Sequence, residues 1–176
     1  MINVDVTTYF PKTRGFTATR ARCLHRSPGR RDSCHRNGAS LLELGIATVA
    51  TDRGIGDIGA AIQEYAEKQG CSVVRDYVGH GVGREFHMPP QVPHFGTHGK
   101  GKRIVEGMVF TIEPMINIGD YHTELLDDDW TVLTADRSLS AQFEHTILAT
   151  RGGAEILTAR TAKLKNSEDL PWSWRP

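Results

Sequence analysis

The sequence predicts an α+β fold. Short β-branched or apolar runs recur along the chain between glycine, proline and aspartate turn signals. Among them stand one well-patterned helix over 55–69 and the end of a second over 41–49. Taken in order, residues 2–10 alternate Ile2, Val4 and Val6 against Asn3, Asp5 and Thr7, which reads as a strand. Residues 17–40 show neither a strand nor a helix period. From Leu41 the pattern resumes, and Leu42, Leu44, Ile46 and Val49 fit the end of a helix. In 55–69, Ile55, Ile58, Ile62 and Tyr65 fall on one face with Ala61 and Ala66 beside them. Asp57 suits the positive end of that helix dipole, and Gly70 suits the position after its last turn. Ser72–Asp76 reads as a strand, Gly79–Gly83 as a glycine-rich turn, and 88–103 as loop because of its prolines and glycine-bounded turns. Val109–Glu113, Met115–Ile118, Trp130–Leu133 and Gln142–Ala149 read as further strands. The tail from Leu164, with Pro171, Trp172, Trp174 and Pro176, reads as a surface extension.

With 176 residues, 39% of them hydrophobic and 24% charged, the chain fits one soluble globular domain. No apolar run reaches the roughly 18 residues a membrane helix needs, which argues against a membrane partner. The opening MINVDVTTYF has no basic stretch followed by an apolar core, so no secretory signal is expected. Cys23, Cys34 and Cys71 are sparse and lack metal-type spacing, which points to a reducing cytosol and a cytoplasmic protein. The formal net charge is zero, which gives no reason to expect nucleic acid as a specific partner. That zero is uneven. Residues 17–40 carry +5 from six arginines against Asp32, residues 1–16 carry +1, and residues 41–176 carry −6.

Three polar residues lie in strand-like apolar surroundings. His80 is boxed by glycines, Glu113 ends the run Val109–Ile112 before Pro114, and Glu144 lies within Gln142–Leu148. A carboxylate inside a sheet core costs several kcal/mol unless it is paired or metal-bound. One histidine with carboxylates from different strands makes a hard donor set for Mn²⁺, Fe²⁺, Co²⁺ or Zn²⁺, often as a bridged pair. The alternative is that Glu113 and Glu144 face solvent at sheet edges, since no short local motif fixes the geometry.

Longer motifs then bear on the choice. GHGVGREFHMPPQVPHFG (79–96), VEGMVFTIEPMINIG (105–119) and DDDWTVLTADRSLSAQFEHTILAT (127–150) resemble methionine aminopeptidases of the bacterial type. INVDVT (2–7) and IGDIGAAIQEYAEKQG (55–70) are similar to the same family, so the resemblance covers about 41–160 plus the first ten residues. It implies the pita-bread fold, two pseudo-symmetric halves with antiparallel sheet and helices packed on it, of which this chain matches mainly the C-terminal half. It implies removal of the N-terminal methionine of nascent peptides, near the ribosome, by a monomeric enzyme. Two divalent metal ions would activate a shared water to hydroxide. By motif, Asp5 resembles the first metal ligand and His80 the lone imidazole ligand. Glu113 resembles a ligand that also shuttles protons, and Glu144 the carboxylate bridging both ions. His87 resembles the histidine that contacts the scissile peptide, so His87 and Glu113 are the expected catalytic pair. Tyr77, Phe86, His87, Trp130 and Gln142 match positions around the methionine pocket, with plain core packing as the alternative for the aromatics. His94, His98 and His122 have no such match and read as solvated loop histidines.

Two departures from the family stand out. The family's long half preceding the INVDVT strand supplies a pocket histidine and part of the methionine pocket, and this chain is expected to lack it. The family's next ligand should follow Asp5 in a motif like Gly-Phe-His-Gly-Asp-Thr, and this chain has Gly15-Phe16-Thr17-Ala18-Thr19-Arg20. Deleting one C from the histidine codon of that motif yields Phe-Thr-Ala-Thr followed by a codon beginning with C, as Arg20 permits. The expected organisation is therefore a remnant strand (1–10), an anomalous Arg-rich segment (11–40) that is disordered or frame-shifted, the metallopeptidase half (41–160) and a surface tail (161–176). A basic nucleic-acid arm and a zinc knuckle from Cys23, His25, Cys34 and His35 are the competing readings of 17–40. The first lacks interleaved aromatics, and the second has its ligand pairs too closely spaced. For the whole chain, the competing class is a catalytically impaired remnant or non-catalytic pita-bread binding protein. The surviving ligand motifs weigh against long use in that role.

Overall fold

A computed structural model describes residues 2–10, 16–24 and 33–159, with side chains from residue 38 onward. The expected tail 161–176 lies outside the described residues, as do 11–15 and 25–32. Ile2–Phe10 forms β1, as its alternation predicts, and pairs antiparallel with β2, Phe16–Leu24. The segment 17–40 thus holds more regular structure than its patterning suggests. Threonines at 17 and 19 favour a strand despite the arginines, and α1 already starts at Ser33 and runs to Thr48.

Helix α2 spans Ile55–Lys68. Its first turn is held by the Asp57 carboxylate, which accepts the Gly54 N–H at 2.8 Å. It ends where Gly70 takes φ +70°, a left-handed conformation open to glycine. Ile55, Ile58, Ile62 and Ala66 are buried as the spacing predicts. Tyr65 is not; it lies at the margin of the stripe set by residues 58, 62 and 66 and is exposed.

The strands fall into antiparallel sheets. A five-stranded sheet has the order β12 (Gly153–Ile156), β11 (His145–Thr150), β6 (Val109–Ile112), β4 (Gly79–Gly81), β5 (Met88–Val92). A three-stranded sheet has the order β10 (Ser140–Gln142), β7 (Met115–Asn117), β3 (Ser72–Val73). A hairpin joins β8 (Thr123–Leu125) to β9 (Val132–Thr134). Three sequence expectations change here. The glycine-rich segment at 79–81 is a strand rather than a turn, because its neighbours come too close for side chains. A Cβ on Gly79 would stand 2.5 Å from the Thr111 carbonyl oxygen, and one on Gly81 would strike the Pro89 carbonyl. Residues 88–92 are a strand rather than loop, and they tolerate prolines because β5 is a sheet edge. The long run expected over 142–149 is split in two.

That split organises the molecule. Strand β6 pairs with β11 up to Ile112 opposite His145, and β7 pairs with β10 from Met115 opposite Gln142. Residues 113–114 and 143–144 therefore face each other across a break in one long antiparallel ladder. Both glutamates singled out in the sequence sit at this break. Helix α1 packs on β6, β7, β10 and β12, and α2 on α1, β3 and β5. Between them lies a core of Leu41, Ile58, Ile62, Phe110, Ile112, Ile116 and Ile147. Each such side chain contributes about 1.5–3 kcal/mol through burial. The sheet that carries the break is thereby held rigid from behind.

Candidate active site

The side chains of His80 and Glu113 meet at this break. His80 lies in the middle of β4, and its Nδ1–H donates to the Gly81 carbonyl at 3.0 Å. A carbonyl only accepts, so in the neutral ring the lone pair is on Nε2. Nε2 faces Glu113 Oε1 at 3.7 Å, and both side chains are largely withdrawn from solvent. Thr111, fully buried one strand position before Ile112, links the two. Its Oγ1 accepts the His80 N–H at 2.9 Å and donates to Glu113 Oε1 at 2.7 Å. Gln142 Nε2 reaches Glu113 Oε2 at 3.4 Å from across the break. Glu144, on the opposing side of the break, is 2% exposed. The reading of the two glutamates as solvent-facing edge residues is thus set aside.

His87 stands beside His80 with its ring nearly perpendicular at 4.2 Å between centroids, and Phe86 packs edge-on against His87 at the same separation. A cavity of about 370 Å³ opens here, lined by Val78, His80, His87, Met88, Pro89 and Gln91 together with Gly79. Gln91 and Met88 were not foreseen from the sequence. Tyr77 and Phe86 are exposed, and Trp130, on the β8–β9 hairpin, is 86% exposed. None of the three is core packing, and neither Tyr77, Phe86 nor Trp130 lines this cavity in the described residues.

Asp5 lies on β1 opposite Ala21, outside the residues whose side chains are described. Position 19 pairs with Thr7, two residues along β1 from Asp5. Strand β2 approaches β10 and β11, which flank Glu144. Among the described residues, no group of three or more histidine, cysteine, aspartate and glutamate side chains forms a metal-holding cluster.

The expectation of solvated loop histidines holds for the exposed His98 and His122 but not for His94. His94 is 1% exposed, and its Nε2 accepts the Glu113 N–H at 3.0 Å. Burial pushes the imidazole down to about 3, so it is neutral. Its role leaves no periodic trace in the sequence, because it serves a main-chain group on another strand.

The donor set fits a divalent cation. It offers one imidazole nitrogen with its tautomer fixed and hard carboxylate oxygens held away from water. The 3.7 Å between His80 Nε2 and Glu113 Oε1 is too long for a hydrogen bond. It suits two ligands of one ion, each about 2.0–2.2 Å from it.

The sequence pattern of metallopeptidase family M24 matches residues 1–151. The chain belongs to metallopeptidase family M24. As an M24 chain it is 63% identical over 117 residues to methionine aminopeptidase A of Synechocystis, covering 66% of this chain and 46% of that protein. It is 48% identical over 158 residues to methionine aminopeptidase B of the same organism, covering 90% and 57%. Its structure resembles that of methionine aminopeptidase from Rickettsia prowazekii with a TM-score of 0.83 and 44% identity, covering 89% of this chain and 63% of the other. The M24 pita-bread fold expected from the motifs is thus borne out. The chain spans about half the length of the curated relatives it matches. Membership in a metallopeptidase family implies a divalent metal cofactor.

Proposed function

We propose that this chain is the metal-binding part of a methionine aminopeptidase, cleaving the N-terminal methionine from nascent peptides in the cytoplasm. One observation carries the reading: His80 Nε2, its tautomer set by Gly81, faces the Glu113 carboxylate beside the His87 cavity. The residues that would hold two divalent ions (Co, Mn, Fe or Zn) are Asp5, His80, Glu113 and Glu144. Bound there, such ions would supply a water acidic enough to attack a peptide carbonyl near neutral pH.

This chain's own groups then have distinct tasks. Glu113, hydrogen-bonded by Thr111 on one oxygen, can take a proton on the other and pass it toward the leaving amine. His87, exposed at the cavity mouth and close to His80, can donate to the scissile carbonyl where charge develops. Phe86 backs His87, and Tyr77, Trp130 and Gln142 are the further side chains assigned to methionine binding. Ribosome proximity and a monomeric state belong to the same proposal.

The family's second aspartate has no counterpart in Gly15–Arg20, so weak binding of the second ion and weak or absent turnover are expected of the chain as it stands. Metal analysis after dialysis, combined with hydrolysis of Met-Ala-Ser, tests this. About one retained ion per chain with little methionine release is the expected result. Two tightly held ions with robust turnover would refute the weak second site. No retained ion would remove the reading of a working metal site and favour the impaired remnant or non-catalytic pita-bread binding protein.

A further inference from the structure

We propose that His94 is a positioning residue for Glu113, its imidazole standing in for a strand at the ladder break and fixing where the Glu113 carboxylate stands relative to His80. The inference deepens the metal-site reading and rests on it for its consequence. In the five-stranded sheet β4 lies between β6 and β5, but it begins only at Gly79, opposite Val92. Gly81 pairs with Phe110, so Gly79 falls beside Ile112 and the middle strand has not yet begun at the level of Glu113. His94, two residues beyond the end of β5, reaches toward β6 at this level with its ring and accepts the Glu113 N–H at 3.0 Å.

The base from which His94 reaches is itself fixed. A Cβ on Gly59 of α2 would stand 2.7 Å from the Pro93 carbonyl oxygen and would also strike the Phe95 carbonyl. The backbone on both sides of His94 therefore lies directly against the helix. At the other end, Pro114 keeps Glu113 extended. Glu113 is thus held at its main chain by His94 and at its carboxylate by Thr111 and Gln142. Releasing the main-chain hold lets the peptide between Ile112 and Glu113 turn, which carries the carboxylate away from His80. A phenylalanine at 94 would fill the space of the ring yet accept no hydrogen bond. A glutamine would place an acceptor oxygen near the position of Nε2.

The full chain and its H94F and H94Q variants are compared by amide hydrogen exchange and by Co²⁺ titration read in visible absorption. The expected result is fast exchange at the Glu113 amide in H94F, with β11 amides still protected. Co²⁺ binding in H94F is expected to weaken by about tenfold or more with an altered spectrum, and H94Q is expected to restore both. A folded H94F with an unchanged Glu113 amide and unchanged Co²⁺ binding overturns the proposal. If the unmutated chain binds no Co²⁺, the metal reading fails, while the Glu113 amide still decides the role of His94. Should H94F not fold, the ring nitrogens of the unmutated chain decide. A bare, accepting Nε2 supports the proposal, and a protonated Nε2 overturns it.

Discussion

Thr111 carries more of the site than its size suggests. One buried hydroxyl accepts from the His80 main chain and donates to the Glu113 carboxylate, coupling the two candidate ligands through a single oxygen. Thr111→Val keeps the shape and removes the hydroxyl. It leaves the buried N–H of His80 without that acceptor, so a loss of about 1–3 kcal/mol is expected by urea unfolding. Thr111→Ser should retain most of the stability. His80, Glu113 and Glu144 were legible in the sequence because polar residues inside apolar strand patterns cost free energy unless something compensates them. Thr111 and His94 were not. A threonine is ordinary in a strand, and a histidine that serves the backbone of a distant strand is recognised only when the strands are assembled.

At the scale of elements, α2 was the most legible, since its buried stripe, first-turn aspartate and terminal glycine are all local signals. What the sequence did not disclose is that Asp57 also ties down the loop after β5. Its carboxylate accepts N–H groups from Gly54 and Gly99, each at 2.8 Å, and His98 reaches it at 3.3 Å. The Gly99 and Gly54 hydrogen bonds hold its carboxyl below the ordinary carboxylate value of 3.8. Its contribution is therefore complete above that value and is lost as the pH falls through the lowered one. Asp57→Asn should cost about 1–2 kcal/mol at pH 7. The gap in melting temperature between the two proteins should close on acidification below 3.8. Strands β4 and β5 were hidden for a different reason. Glycine and proline usually interrupt strands, but here crowding by Thr111 and Pro89 demands the glycines and an edge position accommodates the prolines. In β2 the arginines masked a strand, with Thr17 and Thr19 in it, that pairs along the whole of β1.

For the molecule as a whole, an apolar core between two helices and the sheets supports a broken ladder, and the break gathers the groups that matter. The motif resemblance extended to the fold, as the likeness to the Rickettsia enzyme bears out. The proposed methionine pocket was less legible, because exposure of Tyr77, Phe86 and Trp130 depends on tertiary packing, which local pattern does not encode. Zero net charge proved a poor guide too, since the acidic 41–176 holds His80, Glu113 and Glu144 while the basic 17–40 carries β2 and the start of α1. The central claim is that His80 and Glu113 hold a divalent ion. Crystals of the full chain grown with Mn²⁺ test it through anomalous scattering. The expected peak lies within about 2.3 Å of His80 Nε2 and of a Glu113 carboxylate oxygen. A well-ordered His80–Glu113 pair with no such peak between them, at saturating Mn²⁺, would contradict it.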